Sequence, residues 1–583
     1  MNWIVAYTSG IAVSVISAII MAFLFGGLNK VIASISLLAG FSIGIFIIIS
    51  CSKLSSGIEK KELGFWSWVL IIIFMIFSLR SFFWLIYKKG NSLMALNPSN
   101  LGDIPMHILY IKYLANGTPF WPDNPILTGE TIGYHFGIDL FNSLLILLNM
   151  DLVTSFIWVG ILGSLASGFM LLVWGRAFAL AGVLFSGGLA GFQFFQTFTL
   201  ADYQIQLDWK NIMLTMFLTQ RHLLYVIPAG LLLLCSWRQR FFNDNNNQRT
   251  SKTLLPLWIE VLLYSSMPIF QIHTFIFLSF LLLIWFFFVP NLKRIQIIKL
   301  GIFSFVPASL LVLLLTGFLK KASMFHFDFE YYISLNGFLK FWIFNFGIFW
   351  PLVAFLCFKL VTENTDKGIR YNFKLNHAMA FVYPAVVIFI IFSFVILSGW
   401  KYDNAKLLIW PYIILLSYLW EIVLLSLSKI KRYIICFLLF FSGFISIMSS
   451  LDISKSVEIA KFPDIHGVCG AVKDIPLKHR FAIYPTYNNP LFFCGRKVVL
   501  GYGGWLWPHG FYTGEKEEKL KKVMLGDKDW QKLAKELGIR YIFWGEYEHK
   551  EYSQSLRPWE TNANKIASGS WGEIWDIGTF FND

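Results

Sequence analysis

The chain has 583 residues, of which 56% are hydrophobic and only 14% charged, and its mean hydropathy is +0.62. Soluble domains carry about 25% charged residues, so this composition excludes an ordinary soluble protein. The net charge of +14 does not point to nucleic acid, because the basic residues fall mainly in short loops between apolar runs, where they act as orientation signals.

The apolar runs have roughly 17 residues or more, enough to cross about 30 Å of hydrocarbon. The 60 Phe and 23 Trp suit lipid-facing walls and interfacial belts. In chain order the pattern predicts spans near 3–26, 31–51, 65–87, 151–173, 177–195, 221–236, 255–268, 272–290, 297–318, 338–360, 378–398, 408–427 and 433–450. The chain thus reads as an α-helical polytopic membrane protein of about thirteen helices. The first run lacks a basic n-region and a small-residue cleavage site, so it reads as a retained helix rather than a signal peptide.

The stretch 255–290 would be about 54 Å long as one helix, far more than a bilayer needs. A break at Pro268-Ile269-Phe270-Gln271-Ile272-His273 turns it into a hairpin. Charge supports the break. With the N-terminus cytoplasmic, the inner loops collect Lys53, Lys60, Lys61, Arg176, Arg238, Arg240, Arg249, Lys252, Lys293, Arg294, Lys299, Lys367, Arg370, Lys374, Lys429, Lys431 and Arg432. A single span at 255–290 would invert every later loop.

This topology places 88–150, 196–220, 319–337, 399–407 and 451–583 outside a cytoplasmic (inner) membrane, with the C-terminus extracytoplasmic. The expected division is a transmembrane part, 1–450, carrying the large outer loop 88–150, and an extracytoplasmic α/β domain, 451–583. Within the loop, Asp103 to Asn116 reads as an interfacial helix with Ile104, Ile108, Ile111 and Leu114 on one side. The apolar helix 138–149 is too short to span. In the C-terminal part, Arg480–Tyr484 and Tyr541–Trp544 read as strands, Lys516–Val523 and Trp530–Leu537 as helices, and Gly538 as a helix stop. The tract Asn243-Asp244-Asn245-Asn246-Asn247 is a polar cytoplasmic loop.

Cys51, Cys235, Cys357 and Cys436 lie in or beside spans and read as apolar fillers. Cys469 and Cys494 sit in the C-terminal part, where two readings stand, a disulfide on an oxidising face or two buried thiols. No zinc spacing, P-loop, dinucleotide fingerprint or HExxH motif occurs.

Ionisable residues near membrane depth are costly, so their clusters are site candidates. The topology puts five groups on the outer face. Asp103 and His107 share one helix face, and Asp103 reads equally as the helix cap. His135 and Asp139 share another face after the turn-rich Trp121-Pro122-Asp123-Asn124-Pro125, with an ordinary interfacial loop as the alternative. Asp202, Asp208 and Lys210 precede Arg221 and His222 at the mouth of a span, where Arg221 is either a phosphate clamp or a snorkelling side chain. Gln271 and His273 occupy the hairpin break and read also as packing residues. Trp400-Lys401-Tyr402-Asp403-Asn404-Ala405-Lys406 is an outer turn that reads as a site or as a solvated turn.

These residues together resemble the GT-C superfamily of polytopic glycosyltransferases, in particular a bacterial and archaeal branch of GT-C-like proteins. The resemblance rests on Gly102-Asp103-Ile104-Pro105-Met106-His107, Gly133-Tyr134-His135-Phe136-Gly137-Ile138-Asp139 and Tyr402-Asp403-Asn404-Ala405-Lys406, with Leu500 to Gly510 and Gly538-Ile539-Arg540-Tyr541-Ile542 in the tail. It covers most of 66–545. The chain departs from better-known members in having two spans before the one leading into the large loop and no Asp-Glu pair there, so the family acid carries over onto Asp103 alone.

The resemblance implies an inverting transfer of a hexosyl or pentosyl group from a polyprenyl-phosphate donor to a glycan, lipid or protein acceptor on the extracytoplasmic face, in cell-envelope assembly. Asp103 is then the base or acceptor-orienting acid, supported by His107, His135 and Asp139, while Arg221, His222, Asp403 and Lys406 face the donor phosphate. No metal ligand set is assigned, and whether a divalent metal assists is left open. Two other functions compete: a transporter or flippase of a lipid-linked saccharide, and a non-catalytic assembly factor in which Trp505, Trp507 and Tyr512 either stack on sugar or form core.

Overall fold

The computed structural model describes residues 1–50, 64–96, 103–242, 254–318, 325–365, 368–371 and 376–580. Cys51, Lys53, Lys60, Lys61, Gly102, the tract 243–247, Arg249, Lys252, Lys367 and Lys374 lie outside the described residues.

The protein is a helical integral membrane protein. Among the described residues, eight helices are long and apolar enough to cross a bilayer, or nine if a bent pair counts as one span. The first two, Asn2–Phe25 and Lys30–Ser50, form a close antiparallel pair. A Cβ on Gly40 would collide with Ser14 Oγ and the Gly10 carbonyl, so small residues set how near the backbones come.

Two expected spans, 151–173 and 177–195, fall in one helical run, Leu152–Leu184, kinked where Arg176 takes a positive φ of 54°. The arm beyond the kink ends at Leu184 and is too short to cross alone. The chain then continues irregularly past Ser186 to a short π-helical turn, Met213–Phe217. Asn211 secures this passage by donating through Nδ2 to the carbonyls of Leu184, 3.1 Å, and Ser186, 3.2 Å. The region 177–195 is therefore not a regular span. Its helix ends at Leu184, and after the glycines at 187 and 188 only short turns follow, Ala190–Gln193 and Phe194–Thr197.

The stretch 255–290 is a hairpin. Leu257–Phe270 and Ile272–Phe288 meet at Gln271, whose backbone is extended (φ −164°, ψ 111°). Tyr264 Oη and Ser279 Oγ lie 2.7 Å apart on either side of that break, so the two arms run antiparallel. The expected span 338–360 is instead a pair, Leu335–Phe344 and Phe349–Val361, bent by 74°.

The helix Asp103–Ala115 has buried residues on every side, from Ile104 to Ile111 and again at Tyr113 and Leu114. It is enclosed rather than lying on an interface with one face exposed. Gly137–Leu147 covers one side and the short helix Pro490–Phe493 covers another. That second cover comes from the far end of the chain, which an apolar stripe on one helix does not reveal.

After Lys429–Ser450 the chain becomes mixed. A five-stranded sheet runs Asn564–Gly569, Gly572–Asp576, Ile539–Trp544, Arg480–Ala482, Lys497–Val498, with its last three strands mutually parallel. Helices Gly514–Leu525 and Trp530–Leu537 flank it, and the second stops at Gly538 in the left-handed region (φ 69°). Cys469 and Cys494 are disulfide-bonded, with Cα atoms 5.2 Å apart. Cys235 is buried and free, and Cys357 and Cys436 are free and half-buried.

This C-terminal part grips the loop 88–150. Ser92–Ala95 pairs antiparallel with Val457–Lys461. Val498 N donates to Pro125 O at 2.8 Å, Thr128 N to Val499 O at 2.9 Å, and Gly501 N to Ile126 O at 2.8 Å. Lys497 Nζ meets Asp123 Oδ2 at 2.9 Å. The loop is thereby stitched to the sheet edge by backbone and charge together.

Candidate functional site

The site starts with two short helices that neither composition nor length would hold in place alone. Ser143 on Gly137–Leu147 donates to the Ile111 carbonyl at 2.9 Å, fixing that helix against Asp103–Ala115. Gly137 lets its first turn press on the hairpin break, since a side chain there would collide with the Phe270 ring and the Ile269 carbonyl. The result sets His107 Nδ1 2.9 Å from Asp139 Oδ2 and 3.0 Å from Oδ1. Both residues are buried.

Arg221 stands on the same side. Its guanidinium lies 3.7 Å from the Phe156 ring centroid, its Nη2 is 3.4 Å from Asn142 Oδ1, and the Asp139 charge is nearby. At 1% exposure it is not snorkelling to water. Its Nε and Nη1 have no hydrogen-bond partner among the described residues.

A second ion pair faces this one. Lys406 Nζ lies 2.8 Å from Asp403 Oδ1, and Ser398 Oγ donates to Asp403 Oδ2 at 2.9 Å. Both charges are buried, so the turn 400–406 is not a solvated one. Lys401 leaves the group and pairs with Asp328 at 2.6 Å and with Glu330.

Asp103 sits at the edge between the pairs, in the first turn of its helix. Its Oδ2 accepts from Gln220 Nε2 at 2.6 Å. Burial pushes its carboxyl above the usual carboxylate range; the charges of His107 and Lys406 and the Gln220 hydrogen bond oppose that rise, and the Asp403 charge adds to it. Of the three acids, Asp139 is engaged by the His107 ring and Asp403 by Lys406, whereas Asp103 has an amide partner, Gln220, and keeps partial exposure.

Aromatic and histidine side chains fill the space between. Tyr134 stacks on His135 with centroids 4.4 Å apart, and His107, Tyr110, His222 and His509 ring it within 6.4 Å. His135 and His222 meet edge to face at 4.3 Å. Burial, then the charges of His222, Lys406, His273 and His509, push His135 well below the usual histidine range, so it is neutral. Among the described residues, His107 Nε2, His135 Nε2, both ring nitrogens of His222, His273 Nδ1 and Tyr134 Oη find no hydrogen-bond partner. Buried polar atoms are usually satisfied, so this concentration makes the space a candidate for a polar ligand.

The structure thus brings together Asp103, His107, His135, Asp139, Arg221, His222, His273, Asp403 and Lys406 from five separate segments. It does not bring in the acids at 202 and 208. Asp202 Oδ1 accepts from Ser446 Oγ at 2.7 Å, and Asp208 lies beside Tyr331. Lys210 rests over the Tyr402 ring at 4.9 Å, on the rim.

Tyr134 and His509 lie in stretches that carry the resemblance but were given no role there, and Gln220 lies outside them. Gln220 directly precedes the Arg221-His222 pair in an otherwise apolar run, which was a usable signal. His509 arrives from the C-terminal part, near the Trp507–Trp400 contact at 5.8 Å. Of the three aromatics weighed for sugar stacking, Trp505 is core, while Trp507 and Tyr512 are exposed. Among the described residues, no group of three or more His, Cys, Asp or Glu side chains is placed to hold a metal ion.

No family model and no curated protein matches the sequence. Among solved structures, the chain is similar to the crystal structure of the Archaeoglobus fulgidus oligosaccharyltransferase in the apo form, with TM-score 0.48 and 10% identity, covering 84% of this chain and 70% of that one.

Proposed function

We propose that the protein is a membrane glycosyltransferase that moves a sugar from a polyprenyl-phosphate donor to an acceptor hydroxyl or amide on the extracytoplasmic face. The observation that carries this reading is the state of Asp103. Asp403 is engaged by Lys406 and Asp139 by His107, whereas Asp103 accepts from the Gln220 amide, its carboxyl is raised by burial, and it borders polar atoms without a hydrogen-bond partner among the described residues. Such a carboxylate takes the acceptor's proton as the acceptor atom attacks sugar C1 with inversion. The bond from C1 to the phosphate oxygen breaks, and its electron pair leaves on the phosphate.

The cations of the cluster suit that leaving group. Lys406, and the unused N–H groups of Arg221, offer positive charge where the phosphate charge grows. A phosphate-activated donor needs no nucleotide at the outer face. The disulfide Cys469–Cys494 supports an oxidising location for the C-terminal part. Basic residues Arg176, Arg238, Lys429 and Arg432 gather around one cavity at the other end of the bundle, in accord with the positive-inside rule.

The test is Asp103→Asn in purified protein supplied with polyprenyl-phosphate sugar. Transfer falls by about 10²-fold or more while yield and melting temperature hold. Near-normal transfer by Asn, with loss of protein only in Asp103→Ala, identifies a structural residue and sinks the assignment.

A transporter reading draws on the two broken elements, the hairpin at Gln271 and the 74° bend after Phe344. Movement of an intact lipid-linked sugar across proteoliposomes, with no transfer product, would favour it.

A further inference from the structure

A cavity of about 1560 Å³ lies at the end of the bundle remote from Asp103. The same helices connect the two ends. Lys406 begins the run that reaches Glu421 on the cavity wall, about 22 Å away at 1.5 Å per residue. Arg221 precedes the helix that carries Arg238 to the cavity, a similar distance. This cavity therefore takes no part in the chemistry at Asp103.

Its lining has two characters. The walls are apolar, supplied by the first half of Phe65–Phe83 and by Phe169, Phe178, Phe440 and Phe444. Phe65, Trp66 and Trp68 are more than half exposed, so among the described residues nothing covers the wall they form. Four cations, Arg176, Arg238, Lys429 and Arg432, line the same space with one acid, Glu421. Arg432 Nε is buried and without a hydrogen-bond partner among the described residues. Arg176 is held toward the cavity by the kink at its own positive φ. Arg238 rests over the Trp174 ring at 4.9 Å.

We propose that this cavity binds an anionic lipid, its phosphate headgroup on Arg176 and Arg432 and its hydrocarbon tails along the phenylalanine wall. The surplus of three positive charges (four cations less one acid) selects the anionic headgroup. A guanidinium presents paired N–H donors to phosphate oxygens. Basic pockets between transmembrane helices hold such headgroups by this same match. The walls select a lipid over a free anion, since a cavity of this size and apolarity gains from hydrocarbon and not from inorganic phosphate. This inference stands apart from the transferase reading and survives its failure.

Native mass spectrometry of the full-length protein, with phosphatidylglycerol and phosphatidylcholine of identical acyl chains, tests it. Phosphatidylglycerol adducts persist and phosphatidylcholine adducts do not. Arg432→Gln weakens the anionic adduct roughly fivefold, and Glu421→Gln strengthens it by a similar factor. The opposite signs exclude a general folding defect, which would weaken both. Cys436→Trp, which narrows the cavity at its phenylalanine wall and leaves its cations, weakens the adduct. Equal retention of the two lipids, a shared loss in both charge variants, indifference to Cys436→Trp, or full displacement by inorganic phosphate would each overturn the proposal.

Discussion

His107 and Asp139 are 32 positions apart and meet across two short helices, Nδ1 to Oδ2, at 2.9 Å with neither exposed to water. The carboxylate holds the ring from below and leaves Nε2 directed away from Asp139 and without a hydrogen-bond partner among the described residues. Asp139 is thus engaged by His107 and lies near Arg221.

Breaking that pair strands a buried charge. Asp139→Ala leaves Arg221 without its nearby carboxylate and costs about 3 kcal/mol or more in unfolding free energy. His107→Ala/Asp139→Ala costs less than the two single changes summed, because the pair fails as a unit. Denaturant unfolding in detergent of the three variants measures the coupling, and strict additivity would rule out a functional pair.

The second pair separates structure from donor binding. Lys406→Met leaves Asp403 buried with only Ser398 as partner and lowers yield. Adding Asp403→Asn removes the unpaired charge and restores yield. If Lys406 also faces the donor phosphate, the double variant still shows a raised KM for the lipid donor. A double variant with wild-type KM would confine Lys406 to packing.

Transfer should depend on pH through Asp103. Its carboxyl is raised by burial, and only the ionised form accepts a proton, so activity falls as pH drops through that raised value. The acid limb of the kcat/KM profile disappears in Asp103→Asn along with most of the rate. An unchanged acid limb on the residual activity would assign the titration to another group.

Glu548 supplies a stability test away from the site. It is buried beneath Tyr484 N at 2.7 Å and Gly545 N at 2.9 Å, and burial raises its carboxyl to about 7. The folded form holds the proton more tightly than the unfolded form, whose carboxyl titrates near its usual 4.5. Stability is therefore full below that value and declines as pH rises toward about 7, by roughly 3 kcal/mol in total. Glu548→Gln flattens this slope. A wild-type melting temperature that rises from pH 5 to 7.5 through this group would contradict the sign.

Orientation has its own test. A reporter fluorescent only in the cytoplasm, fused after Asp583, stays dark, and Cys469 and Cys494 react with thiol reagents only after reduction. A bright fusion would reverse every assignment of faces.

Much of the architecture follows from local pattern. Hydrophobic run length located the long helices, such as Asn2–Phe25, Lys30–Ser50 and Lys429–Ser450, because backbone groups in hydrocarbon must be satisfied internally, but it did not foresee the break-up of 177–195 or the bend in 338–360. The hairpin at Gln271 was legible because length and loop charge both demanded it. In the C-terminal part, Gly538 marked the end of Trp530–Leu537, since its left-handed conformation is easy only for glycine. The residues of the polar cluster also stood out, because ionisable side chains are costly at membrane depth and therefore conspicuous.

Pairing was not legible. The i,i+3 spacing allows Asp403 to meet Lys406, but nothing local says that His107 takes Asp139 and leaves Asp103 to Gln220, or that Lys401 departs to Asp328. Sequence spacing sets which residues share a helix face, and here it coupled Asp103 with His107 and His135 with Asp139. The crossing of the two helices coupled His107 with Asp139 instead. The enclosure of Asp103–Ala115 and the arrival of His509 on Tyr134 depend on a sheet edge more than 350 positions downstream, and only the folded chain brings it there. Periodicity carries information over a few turns of helix, whereas contacts between remote segments are decided by packing, and it is packing that selected which carboxylate remains unpaired.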